Sequence, residues 1–373
     1  MTVGETPYLD RSGLQFKPLA ERRNRVDIER DRVLPTSSPG PLSTEAETRI
    51  RQAAARVRQA RADRRPVVLA FGAHAIKNGL APVLIHLLER GWLTHLATNG
   101  AGVIHDWEIA YQGATSEDVQ ENILRGQFGL WEETGRWINL ALLVGAYEGL
   151  GYGESVGALV HHDGLRVPER EELLARIGRA AEDPDGASAA ADLLGVIERF
   201  GLSSGPQPLT HPYKSYGLQA AAYRLKVPYT AHPMFGHDII YAHPLNHGAA
   251  VGRTAERDFL RFARAICDLE GGVYLSVGSA VMSPMIFEKS LSMARNLAHQ
   301  EGRRIERFTL VVVDLSPVSW DWQRDGEPPP EDPAYYVRYL KTFSRMGGEL
   351  TYIQADNRDF LLALCRELEG ARG

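Results

Sequence analysis

The sequence predicts an α/β fold: a doubly wound, mostly parallel, six-stranded Rossmann-like sheet with a helical insertion. Three observations lead there. Six short runs rich in β-branched or aromatic residues recur at 66–71, 93–98, 227–231, 272–277, 308–313 and 350–354. Most of them pass quickly into a helical pattern, the alternation expected of a parallel sheet covered on both faces. With 373 residues, 44% hydrophobic and 24% charged, the chain has ordinary globular composition and can bury a large core.

Residues 1–44 are polar and punctuated by Pro35, Pro39, Gly40 and Pro41. They read as an N-terminal arm lying on the body of the protein or on a neighbouring subunit. Residues 45–373 read as a single nucleotide-binding-type domain. It opens with an amphipathic helix over 44–65, capped by Ser43 or Thr44, with Ile50, Ala54, Val57 and Ala60 on one face. The first run, 66–71, leads through a glycine-containing turn to a helix over 78–90. The second run, 93–98, turns at 99–102 into another helix. Helical patterns at 116–125, 130–150, 168–182 and 187–200 make a helical insertion of about 116–210 that covers the sheet edge or lids the site. The glycine-rich stretch 149–153 is its candidate hinge.

Several function classes are excluded. No run approaches the roughly 20 apolar residues that span a bilayer. The start, Met1 to Thr6, has neither a basic region nor an apolar stretch, so a cytoplasmic protein is expected. A net charge of −5 gives no nucleic-acid or membrane surface, and the arginines of 51–65 are balanced by nearby acids. Cys267 and Cys365 each sit in a helical pattern and read as reduced core thiols.

In an open parallel sheet ligands bind beyond the carboxyl ends of the strands. After the first run, Gly72 permits close backbone approach and Lys77 suits a phosphate, although neither a Walker loop nor a Gly-x-Gly-x-x-Gly turn is present. After the second, Thr98 and Asn99 can donate to a phosphate, and Gly100 and Gly102 clear space for it. His105, Asp106 and Glu108 follow in the next helix as candidate catalytic groups; acids there also suit a helix N-terminus. After the third come His232, His237, His243 and His247, with Asp238. They suit a histidine-lined pocket better than zinc, since no cysteine or Glu-x-x-His accompanies them. After the fourth, Gly278 and Ser279 can cradle an anion. After the fifth, Asp314 is placed to accept from a ribose, and the polar loop to Asp332 reads as a flap. After the sixth, Asp356 opens the last helix, as a cap or as a ribose or adenine contact.

Taken together, these turns resemble the deoxyhypusine synthase family over roughly residues 66–112 and 225–370. The matches are the stretch from Asn78-Gly79 to Gly102, the stretch from Val227-Pro228 to Ile240, and Gln354-Ala355-Asp356. The resemblance implies an NAD-binding fold, with Asp356 toward the cofactor and Asp238 toward an amine. His105 to Ala110, with Gly113-Ala114-Thr115-Ser116, also looks like the NAD-dependent ornithine cyclodeaminase domain of some archaea and cyanobacteria. The family's imine-forming lysine has no counterpart in 332–339, Lys341 is out of register, and the family's histidine after the fourth run has no counterpart either. Synthesis of deoxyhypusine is therefore not expected. The expectation is an NAD-dependent homo-oligomer (dimer or tetramer) of transferase or deaminase/cyclodeaminase type, acting on a small amine or amino acid through a transient imine. The alternatives are a nucleotide-binding sensor without catalysis, and a metal-dependent hydrolase using His105-Asp106, His162-Asp163 and His237-Asp238.

Overall fold

The computed structural model describes residues 8–322 and 324–370; the stretch Met1 to Thr6 lies outside them. Its strands are β1 (Asn24–Asp27), β2 (Val67–Phe71), β3 (His95–Thr98), β4 (Ala114–Glu117), β5 (Gly164–Val167), β6 (Gly205–Pro208), β7 (Tyr229–Ala231), β8 (Val273–Val277), β9 (Thr309–Asp314) and β10 (Glu349–Gln354). Six of them form one sheet in the order β10-β9-β8-β2-β3-β7, parallel throughout. These are the six runs read from the sequence.

The inner strands β2, β8 and β9 are buried on both faces, which is why they are near-continuous apolar runs, whereas the edge strand β10 is only partly buried. Every residue of β2 is buried. Val67, Leu69 and Phe71 join one core, while Val68 and Ala70 join the other. The helix Thr44–Ala62 is capped by Ser43, whose Oγ accepts from the Ala46 N–H at 3.1 Å, and it buries Ile50, Ala54, Val57 and Ala60.

The arm lies on its own chain. Leu19 and Ile28 are fully buried, and β1 pairs antiparallel with β4. That pairing changes one expectation. Residues 116 and 117, read as the start of a helix over 116–125, belong to the strand β4, and the helix begins only at Val119 behind its cap Asp118. The helix expected over 78–90 runs over Ala81–Glu89, and the turn expected before it holds a short helix of its own, Ala73–Lys77. Gly79 lies between them at φ +72°, and a Cβ there would collide with the Asp31 carbonyl of the overlying arm.

Beyond β4 the helices Glu132–Glu148 and Tyr152–His162 meet at a corner made by Gly149 (φ +84°) and Gly151. The second helix packs on the edge strand β7 so closely that Gly153 has no room for a Cβ beneath the Tyr229 carbonyl. Asp258, on the helix Gly248–Cys267, ties this corner to the sheet. Its Oδ2 accepts from the N–H groups of Gly153 (2.8 Å) and Ala231 (2.7 Å). The hairpin β5–β6 completes this part of the chain. No helix among the described residues is long and apolar enough to cross a membrane.

Candidate functional site

The order of the sheet fixes where its strand ends diverge. From the centre the chain runs outward through β2, β3 and β7, and then through β8, β9 and β10 on the other side. The switch point therefore falls between β2 and β8, followed by Gly72 and Gly278. These turns touch: a Cβ on Gly72 would collide with the Gly278 carbonyl oxygen. Gly278, at φ +58°, lies under the Asn357 side-chain amide, where a Cβ would also collide. The turns after β2, β8 and β10 thus close on one another.

Around them the polar residues mostly shape the loops. The Ser279 Oγ accepts from the Ser283 N–H at 3.2 Å, at the start of the helix Met282–Gln300. Asp314 Oδ1 accepts from the Ser316 N–H (3.0 Å) and hydroxyl (2.8 Å), and Asp356 Oδ1 from the Arg358 N–H at 2.8 Å. Asp356 also lines a cavity of about 710 Å³ beside β9 and β10, together with Arg49, Trp320, Tyr352 and Asp359. Lys77 is half-buried, and its ammonium makes no hydrogen bond or ion pair among the described residues. Another hollow, of about 600 Å³, lies in the 132–208 region against Glu148, His162 and Tyr223; none of the strand-end candidates lines it.

After β3, the Thr98 Oγ1 donates to the Phe71 carbonyl at 3.0 Å, and Asn99 Oδ1 accepts from the Gly102 N–H at 2.9 Å. Asn99 is therefore the cap of the helix Gly100–Gln112. Gly102 makes room for Thr98, and Gly100 for the Asp238 carboxylate.

The three candidate catalytic groups on this helix have separate partners. Asp106 is buried and accepts from the N–H groups of Leu218 (2.8 Å) and Gln219 (2.9 Å) and from the Gln219 side-chain amide (2.9 Å). It caps the helix Leu218–Leu225; burial raises its pKa to about 6, against the pull of those donors. Glu108 is buried in a cage of four donors. Its Oε1 accepts from Arg22 Nη1 (2.8 Å) and the Thr134 hydroxyl (2.9 Å), and its Oε2 from Arg22 Nη2 (2.6 Å) and the Thr115 hydroxyl (2.5 Å). Burial alone pushes this carboxyl up, but the Arg22 guanidinium and the other partners hold it below its ordinary value. His105 Nδ1 lies 2.7 Å from Thr115 Oγ1, and burial lowers the imidazole to about 4 despite the Glu108 charge, with Lys77, Arg22 and His74 adding to the lowering.

The histidines after β7 do not converge. His232 is buried and bonds Thr230 Oγ1 at 3.1 Å, as does His95 at 3.0 Å. His243 lies 3.3 Å from Glu132, and His247 lies 3.9 Å from Asp192. His237 is exposed. Among the described residues no group of three or more His, Cys, Asp and Glu side chains is placed to hold a metal ion. Asp238 differs from its neighbours. It sits against Gly100, its Oδ2 is buried without a hydrogen-bond partner, and burial raises its pKa to about 6, with Tyr241 and His237 opposing the shift. The hydroxyls of Tyr241 and Tyr152 are also buried; the Tyr241 hydroxyl stands beside the Asp238 carboxylate as its nearest donor, and the Asp238 charge acts on both phenols.

Sequence reasoning missed Arg22, Thr134, Tyr152 and Tyr241 as parts of this region. Thr115 entered only through a resemblance. Arg22 meets its acid across 86 positions, so no local spacing marks it. Lys341 is tied up elsewhere: its ammonium lies 3.5 Å from the Tyr335 ring centroid and 4.0 Å from Glu327.

No protein-family model and no curated protein matches the chain. Among solved structures it is similar to ArgZ, an arginine dihydrolase from the ornithine-ammonia cycle in cyanobacteria. The identity is 16% and the TM-score 0.43, over 87% of this chain and 33% of ArgZ. It is also similar to a conserved putative LOR/SDH protein from Methanococcus maripaludis S2 (12%, TM-score 0.43, 91% and 71%). A putative deoxyhypusine synthase from Entamoeba histolytica gives 10% and a TM-score of 0.37, over 83% and 76%. This chain spans about a third of the length of ArgZ. Likenesses this distant carry no argument about chemistry, which rests on the geometry above.

Proposed function

We propose that this chain is an NAD-dependent enzyme acting on a small amine or amino acid at the carboxyl ends of its central sheet. The observation that carries the reading is Asp238. Burial of a carboxylate oxygen without a donor is costly, and an ammonium group is the ligand that relieves it. No lysine or arginine of the described chain pairs with Asp238, and two buried phenols stand by it, Tyr241 beside the carboxylate and Tyr152 within its electrostatic reach.

The residues fit a dinucleotide at the strand ends. The glycines at 72 and 278 let backbones meet at the switch point, where an added Cβ would block the approach. Lys77 is the cation for a phosphate, Ser279 and Asn357 line the turns, and Asp356 faces a cavity large enough for a nucleoside. NAD, when bound, supplies the hydride acceptor. The protein's part is to draw the amine to Asp238, exclude water around the Tyr152 and Tyr241 phenols, and remove a proton through His105. Asp106 and Glu108 support from behind, since their oxygens are already taken by internal donors.

The test is a thermal-shift titration with NAD and mass spectrometry of the purified protein. Binding at a hundred times Kd stabilises the native state by about 2.7 kcal/mol. Absence of both co-purified NAD and a melting shift at millimolar NAD removes the reading.

A further inference from the structure

The hydroxyl of Thr115 has one proton, and two neighbours compete for it. Glu108 Oε2, 2.5 Å away, belongs to a carboxylate already holding three other donors, and an ionised carboxylate can only accept. The Thr115 proton therefore points to Glu108. The Thr115 oxygen is then left with lone pairs only, and His105 Nδ1, 2.7 Å away, must be the donor. That order fixes the imidazole as the Nδ1–H tautomer and leaves Nε2 with a lone pair. Nε2 bonds no described residue and is not among the sealed-off polar atoms, and the groups acting on the ring include Lys77 and His74 of the turn after β2.

We infer that Glu108, Thr115 and Arg22 are positioning residues that hold His105 as a neutral base with Nε2 open to the strand-end site. This inference rests on the preceding reading for its substrate. In the step, the N–H bond of a bound substrate ammonium breaks, its electron pair stays on the substrate nitrogen, and the proton goes to His105 Nε2, directly or through one water. The Nδ1–H stays on Thr115, and the Glu108 charge stabilises the imidazolium through that hydroxyl. NAD, when bound, would accept a hydride from the carbon bearing nitrogen, so the substrate ammonium would lose one proton to His105 and one hydride to the cofactor, two electrons and two protons in all, and would be left as an iminium ion. Arg22 keeps Glu108 ionised; without that guanidinium a buried carboxyl takes up a proton and the chain of donors loses its direction.

The test uses the full chain with selectively ¹⁵N-labelled histidine, His105 being assigned by its loss in His105→Gln. At pH 7 the His105 resonances should show the Nδ1–H tautomer. Thr115→Ser should keep it, and Thr115→Val should abolish the preference. The rate of diethylpyrocarbonate modification at His105, mapped by mass spectrometry, should respond to the tautomer by about tenfold between Thr115→Ser and Thr115→Val. NAD with an amine should slow the reaction at His105 in the parent chain. An Nε2–H tautomer in the parent chain, or an unchanged one in Thr115→Val, overturns the inference, as does failure of bound NAD and amine to protect His105. Failure of NAD to bind at all overturns the preceding reading instead, while the tautomer still judges the relay.

Discussion

Asp238 owes its character to glycine at position 100, since the carboxylate occupies the space where a Cβ would be. Gly100→Ala should push Asp238 aside and weaken amine binding by about tenfold or more, an effect readable by calorimetry with the fold checked by circular dichroism. Asp238→Asn keeps the shape and removes the charge. It should abolish the pH dependence of amine binding, which in the parent chain strengthens as pH rises through about 6, where this acid ionises. At this scale the sequence was partly legible. His105 and Asp238 stood out because a polar side chain after a parallel strand is placed at the ligand end of the sheet. The same rule also selected Asp106 and Glu108, because position in a helix start does not reveal which way a side chain turns. One residue of helix rotates the direction by 100°, enough to send Asp106 to the cap of Leu218–Leu225 and Glu108 to Arg22.

Between elements, the decisive join is the arm against the helix Gly100–Gln112. Arg22 and Glu108 are both buried, so removing one partner leaves an uncompensated charge. Arg22→Met should cost about 3–5 kcal/mol in urea unfolding, whereas the double change Arg22→Met with Glu108→Leu should cost less than the sum of the single changes. Asp106→Ala removes three accepted hydrogen bonds and should cost about 1–3 kcal/mol while leaving the response to NAD intact. The sheet was readable because each parallel strand is a compact apolar run. The pairs β1–β4 and β5–β6 were not, since Asn24–Asp27, Ala114–Glu117 and Gly205–Pro208 carry polar, proline or glycine residues and gain their structure from pairing across the fold.

For the molecule as a whole, buried titratable groups set opposite limits on stability. His95 and His232 are lowered by burial to about 3, and His105 and His211 by burial to about 4. Folded, they stay neutral where the unfolded chain binds protons, so stability falls as pH drops below about 6.5. Asp258 is raised by burial to about 7 and Asp106 by burial to about 6. Folded, they keep protons that the unfolded chain releases, so their contribution is complete below about pH 4 and is lost as pH rises through 6 to 7. The four histidines outweigh these acids, so the melting temperature should rise with pH and level off near pH 7, and Asp258→Asn should steepen that rise between about pH 4 and 7, both measurable by calorimetry across pH.

The arm that carries Arg22 also has a consequence in time. It is made before its docking sites, Glu108, β4 and the start of the helix at Glu132, which follow 86 or more positions later. At roughly 5–20 residues per second the arm waits for seconds with its apolar residues Leu19 and Ile28 uncovered. Docking is a long-range closure, and until it happens Glu108 is a buried-to-be acid without its cation. Refolding should accordingly show a late phase in which the arm becomes protected from proteolysis, and that phase, rather than sheet formation, would mark the moment the site becomes competent.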